Sequence, residues 1–130
     1  MTTFLLDTNV WLFMSLAPRR LRPEVVRLLL DPSNQLLVSL ASCWEIAIKY
    51  GLGRLALPES PEVFIPKTLD ATVTDILPIS LDHVLRVATL PRHHRDPFDR
   101  LLVAQAMAEG VPLVSSDPQL ARYPVQLIPA

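Results

Sequence analysis

The sequence predicts an α/β architecture in three layers, a central, mostly parallel sheet of about five strands flanked by helices. Two observations carry that expectation. Short apolar runs of strand length alternate along the 130 residues with stretches whose apolar positions recur at helical spacing. Each change of period falls at proline, glycine or a capping residue. Alternating strands and helices favour parallel pairing, because right-handed crossovers lay each helix back against the sheet.

The elements follow in order. Phe4-Leu5-Leu6 is a first strand ending at Asp7, and Asn9 to Phe13 continues as a helix. Pro23 and Glu24 suit the first turn of a second helix, which carries Val25, Val26, Leu28, Leu29 and Leu30 and stops at Asp31-Pro32-Ser33-Asn34. Leu36 to Ser39 is a second strand. Ser42 to Tyr50 reads as a helix opened by a Ser42-x-x-Glu45 capping box and ended by Gly51 and Gly53. Prolines at 58, 61 and 66 allow only short helical pieces between Leu57 and Thr74. Ile76 to Ile79 is a strand that Pro78 directs to a sheet edge, and Ser80 caps a helix containing Val84, Leu85, Val87 and Ala88. Asp96-Pro97-Phe98-Asp99 opens a helix running through Met107 to a stop at Gly110. A strand from Pro112 to Ser115, a helical turn at Asp117-Pro118 and a last strand from Val125 to Ile128 complete the chain.

Length fits one domain, residues 1–130. Apolar runs are too short to span a bilayer, and the N-terminus lacks the pattern of a secretory signal, so the expected location is cytoplasmic, with no membrane partner. The single cysteine, Cys43, permits no internal disulfide and forms no zinc or catalytic pattern with His83; both are expected to be structural. A formal charge of −1 excludes whole-molecule attraction to nucleic acid, so any such contact must be local. Trp11, Phe13, Trp44 and Tyr50 lie in apolar helical patterns and are expected to pack in a core or an interface.

In an open α/β sheet the residues just beyond the strands' carboxyl ends share one crevice. Asp7 follows the first strand, Asp117 lies just past Ser115, Glu45 sits in the first turn after the second strand, and Asp99 in that of a later helix. Taken singly, Glu45, Asp99 and Asp117 have capping explanations. Taken together, carboxylates in one crevice repel unless protonated or neutralised. Mg²⁺ or Mn²⁺, one ion or two, answers that need. Such hard ions prefer oxygen ligands and bind phosphates, and a set without His or Cys favours them over zinc. Phosphodiester hydrolysis by an ion-activated water is the matching chemistry.

Four segments together, Phe4-Leu5-Leu6-Asp7-Thr8-Asn9-Val10, Ser39-x5-Glu45-Ile46-Ala47-Ile48-Lys49, the run from His93 to Ala106 and Leu113-Val114-Ser115-Ser116-Asp117, resemble a PIN domain of the VapC toxin type. The likeness spans nearly the whole chain, and Asp96-Pro97-Phe98-Asp99-Arg100-Leu101-Leu102 is its most specific part. It implies a magnesium- or manganese-dependent endoribonuclease with an RNA substrate, paired with a small antitoxin in a toxin–antitoxin system and commonly a homodimer. The family's acidic positions fall on Asp7, Glu45, Asp99 and Asp117, and its polar positions on Asn9 and Ser115. Asp96 is thereby left as the N-cap before Pro97, with Asp99 as the ligand.

Lys49 stands in the favourable order for a helix ion pair with Glu45, and the resemblance also places it near RNA. Arg92, Arg95 and Arg100, with His93 and His94, are the densest basic stretch and adjoin the acids, which makes phosphate contact or a solvated loop the alternatives. Arg19, Arg20 and Arg22 form a second basic group. Two rival functions remain. A haloacid-dehalogenase-like phosphatase would use Asp-x-Asp, but its second acid is Asn9 here. A noncatalytic binding or regulatory module would keep the acids only as caps.

Overall fold

The computed structural model describes residues 1–130. Five parallel strands form one sheet, β1 (Thr3–Leu6), β2 (Gln35–Ser39), β3 (Thr74–Leu77), β4 (Leu113–Ser115) and β5 (Leu127–Pro129), in the order β3-β2-β1-β4-β5. Six helices connect them: α1 (Thr8–Leu16), α2 (Pro23–Leu30), α3 (Leu40–Gly51), α4 (Pro61–Ala71), α5 (Leu81–Val87) and α6 (Pro97–Glu109). The expected three-layer α/β arrangement is the one observed, and every strand pair is parallel.

Alternation along β1 builds the layers. Phe4 and Leu6 point to the side where α1 to α4 supply Trp11, Leu29, Ile46 and Phe64. Leu5 points to the other, where α6 supplies Leu102, Val103 and Ala106. A strand buried on both faces reads as the continuous apolar run seen in the sequence. No helix is long and apolar enough to cross a membrane.

Two expectations about elements are corrected. α3 starts at Leu40, because β2 passes into it without a loop and Ser39 Oγ accepts from Ala41 N at 3.0 Å. Ser42 is therefore buried inside the helix and makes no capping box, and Glu45 belongs to the second turn. Between Leu57 and Thr74 the chain forms one eleven-residue helix, not short pieces. Pro61 occupies its first turn, where the missing N–H costs nothing. Pro66 deletes one internal bond, but it is exposed while Phe64 and Thr68 bury the opposite side. Trp44 lies 61% exposed outside the core, edge-on to Phe98 with ring centroids 5.4 Å apart. Trp11, by contrast, is fully buried.

The strand order places a switch point beside β1. The chain steps from β1 outward to β2 and β3, then crosses to β4 on the other flank, so the connections at the carboxyl ends of β1 and β4 diverge and leave a crevice between them.

Candidate active site

Asp7 marks the floor of this crevice. Its backbone N–H extends the β1–β4 pairing by donating to Val114 O at 3.0 Å. Its carboxylate caps α1, with Oδ1 accepting from Val10 N at 2.8 Å and Oδ2 accepting from the Ser115 hydroxyl. Ser115 Oγ in turn accepts from Asp117 N at 3.0 Å, so one hydroxyl at the end of β4 joins two of the acids. Burial pushes the Asp7 carboxyl above its ordinary range, against the hydrogen bonds from Ser115 and Val10.

Glu45 enters from α3. The Thr8 hydroxyl donates to Oε1 at 2.6 Å and Lys49 Nζ to Oε2 at 2.7 Å, while the Thr8 hydroxyl also lies 2.9 Å from Ser42 Oγ. Thr8 and Ser42 are buried polar residues; the sequence pattern assigned Thr8 no role of its own and read Ser42 only as a helix cap. Their helix positions look ordinary until α1 and α3 are packed side by side. Pairing with Glu45 holds the Lys49 ammonium above its usual pKa.

Asp99 stands in the first turn of α6, and Asp96 is that helix's N-cap, its Oδ1 accepting from Phe98 N at 2.8 Å. The Asp99 carboxylate receives no hydrogen bond from the protein. Burial, then the charges of Asp96, Glu45 and Asp7, push it up to about 6 despite the opposing influence of His94. Asp117 behaves oppositely. The bond between its Oδ2 and His94 Nε2, 2.9 Å, is the main cause that holds its carboxyl below the ordinary value, and its Oδ1 accepts from Gln119 N at 2.9 Å.

One nitrogen of His94 and one oxygen each of Asp99 and Asp117 lie within 4.8 Å of one another. Asp7 and Glu45 adjoin this trio, close enough for their charges to raise the Asp99 pKa. A donor set without histidine was the expectation; the structure adds His94. The residue is visible in the basic stretch before α6, but the sequence offers it only phosphate contact or a solvated loop, because nothing local shows that the segment folds inward. It does so because Arg100 donates to the carbonyls of Val87 and Pro91, each at 2.9 Å. That use turns the Arg100 guanidinium toward the loop it holds. The ring of His94 also sits beside Tyr123, with centroids 5.7 Å apart.

Capping does not account for all the acids. It describes Asp7, Asp96 and Asp117, whereas Glu45 lies in a second turn and the Asp99 carboxylate caps nothing. Asn9 is exposed in the first turn of α1 and offers no second acid for a phosphatase pair. Partly buried carboxylates, two of them raised by burial and by one another's charge, are a donor set that fits a divalent cation.

A family model described as PIN domain matches residues 4–126. The chain belongs to the PIN domain family. Ribonuclease VapC16 of Mycobacterium tuberculosis is 43% identical over 53 residues, a match covering 41% of this chain and 36% of that protein, about a third of its length. Among solved structures, the PIN fold here is similar to a chain of VapBC2 from Rickettsia felis bound to a promoter DNA fragment, with TM-score 0.74, 19% identity and 99% of each chain covered. It is also similar to a chain of DNA-bound VapBC from Salmonella typhimurium, with TM-score 0.71, 17% identity and 99% and 98% of the two chains covered.

Proposed function

We propose that this PIN protein is a divalent-cation-dependent endoribonuclease, the toxin of a toxin–antitoxin pair. The observation that carries the reading is the convergence of Asp7, Asp99 and Asp117 at the β1–β4 crevice, with an Asp99 carboxyl raised to about 6 and no protein donor to relieve it. Asp7, Asp99 and Asp117 would hold the ion, Mg²⁺ or Mn²⁺, with Glu45 beside them. Once bound, such an ion supplies charge neutralisation at the scissile phosphate and activation of water.

The chain's own groups do the rest. Ser115 orients Asp7 and Asp117 through one hydroxyl, and Thr8 with Lys49 fixes both oxygens of Glu45. A groove of about 420 Å³ leads away from the acids between Glu45, Lys49, Arg54, Arg95 and Phe98. Its cationic side chains suit a phosphate backbone, which an otherwise acidic crevice would repel.

The likeness to VapBC complexes supports a small cognate antitoxin as partner, and the resemblance to a ribonuclease supports RNA as substrate. A homodimer is supported by the exposed stripe of Leu40, Trp44 and Ile48 on α3, continued by Leu52 at its C-cap. We read residues 1–130 as one cytoplasmic domain.

The test is cleavage of a broad RNA pool by wild-type and Asp7→Asn protein in Mg²⁺, Mn²⁺ or chelator. Cleavage is expected only for wild type with an ion. Persistent cutting in chelator, or full activity of Asp7→Asn, would overturn the reading.

A further inference from the structure

We propose that His94 is a direct nitrogen ligand of the cation, which makes the centre a mixed imidazole–carboxylate site that takes a first-row transition ion, Mn²⁺ here, in preference to Mg²⁺. This rests on the reading that the crevice holds a divalent cation, and goes beyond it by naming a ligand and the ion class it selects.

Three observations carry it. The His94 side chain is 8% exposed, so it is not a solvated member of a basic loop, and its ring is seated against Tyr123. Its Nε2 faces Asp117 Oδ2 at 2.9 Å. Ligands about 2.1 Å from one octahedral ion are about 3.0 Å apart when adjacent and about 4.2 Å when opposite, so this spacing is that of neighbouring ligands. The 4.8 Å envelope around His94, Asp99 and Asp117 closes to those values with shifts below about 1 Å.

Nδ1 is the third observation. It is buried and has no protein partner. The tautomer of an imidazole is set by what its other nitrogen bonds to, and here nothing fixes Nδ1. Without an ion the bond to Asp117 Oδ2 keeps the proton on Nε2; because no protein group competes at Nδ1, the proton can sit there instead when an ion takes the Nε2 lone pair. His83, in contrast, has Nδ1 occupied by Ser80 N at 3.0 Å and Nε2 by Glu109 at 3.0 Å.

Ion choice follows from the donor. Mg²⁺ prefers oxygen and holds its waters, whereas an imidazole nitrogen strengthens binding along the first-row series. Removing His94 should therefore weaken Mn²⁺ far more than Mg²⁺.

The experiment titrates Mn²⁺ and Mg²⁺ into the ion-free full chain by calorimetry and records pulsed EPR of bound Mn²⁺. Wild type, His94→Gln, His93→Asn and Asp99→Asn are compared, each checked for folding by circular dichroism. Wild type is expected to bind Mn²⁺ about tenfold or more tightly than Mg²⁺ and to show nitrogen coupling. His94→Gln should lose the coupling and about tenfold in Mn²⁺ affinity, with Mg²⁺ changed by less than about threefold. His93→Asn should keep the coupling, which assigns it even if His94→Gln fails to fold.

Absent coupling in wild type, coupling retained in His94→Gln, or equal weakening of both ions would overturn the inference while leaving the metal centre standing. Failure of wild type to bind either ion would overturn both.

Discussion

Asp7 and Asp99 present the same carboxylate to the same crevice from opposite kinds of support. Asp7 ends a buried strand, and both of its oxygens receive hydrogen bonds, from Val10 N and Ser115 Oγ. Asp99 rises from the first turn of a helix, and its carboxylate has no protein donor. The difference separates two tasks that a carboxylate cluster must combine. Asp7 serves the fold and the site at once, because the bonds that hold it also cap α1. Asp99 does nothing for the fold, so its burial and the surrounding negative charge are uncompensated until a cation arrives.

The largest effect expected from this contrast is on catalysis. Asp99→Asn should reduce RNA cleavage by about a hundredfold or more while leaving the ion-free protein at least as stable as wild type. Asp7→Ala should be comparably inactive but also less stable by about 1 kcal/mol or more, because α1 loses its cap. Cleavage rates and urea midpoints on the same preparations check both. A strongly destabilised Asp99→Asn protein would show that Asp99 carries fold-stabilising contacts, and the contrast would break.

A pH scan sharpens it. The folded pKa of Asp99, about 6, lies above the ordinary value of 3.8, so the folded state holds this proton more tightly than the unfolded state. The ionised group therefore costs stability above pH 6, and that cost disappears as pH falls through 6 toward 3.8. Ion-free wild type should melt at a higher temperature at pH 5.5 than at pH 7.5. The Asp99→Asn variant should show a smaller rise, with the remainder including Asp7, whose pKa is shifted in the same direction. Added Mn²⁺ should raise the melting temperature more at pH 7.5 than at pH 5.5. An identical pH slope in wild type and Asp99→Asn would remove the basis for treating Asp99 as the uncompensated acid.

The same two residues show what the sequence makes readable. The strand that precedes Asp7 is a continuous apolar run, and parallel topology forces its carboxyl end into the crevice, so both fold class and the place of Asp7 follow from local pattern plus a topological rule. The helix of Asp99 was equally plain from Asp96-Pro97 and Gly110. The path of the segment before it was not plain. That path depends on Arg100 reaching back to the carbonyls of Val87 and Pro91, and without it His94 reads as one of several surface cations. The bond between Thr8 and Ser42 is hidden for a related reason, since it links residues from α1 and α3 that only tertiary packing brings together. The α4 helix was missed because proline propensity is local, whereas burial of Phe64 and Thr68 is not.

Asp96 offers a moderate test of the division of labour within one turn. Its Oδ1 caps α6, and the side chain is exposed. Asp96→Ala should cost about 1 kcal/mol of stability. Cleavage per folded molecule should fall far less than in Asp99→Asn, so a variant as inactive as Asp99→Asn yet fully folded would reverse the assignment.

The smallest expected change in stability is at Lys49. Its ammonium is half exposed and pairs with the buried Glu45 carboxylate at 2.7 Å, one helical turn away. Pairs of this spacing contribute about 0.3–0.5 kcal/mol, so Lys49→Met should move the urea midpoint little. Its effect on the crevice should be larger than its effect on the fold. Lys49 is a fixed cation beside carboxylates that a divalent ion must also satisfy, and its charge opposes the approach of that ion. Removing it deepens the negative potential around Glu45 and Asp99, so Mn²⁺ affinity should rise a few-fold, by roughly 1 kcal/mol for unit charges at protein-surface separations. RNA binding should weaken at the same time, because the groove loses a phosphate-facing cation. Calorimetry for the ion and a filter-binding assay in Ca²⁺ for RNA separate the two effects. A drop in both affinities would mean that Lys49 acts by holding Glu45 in position rather than through its charge.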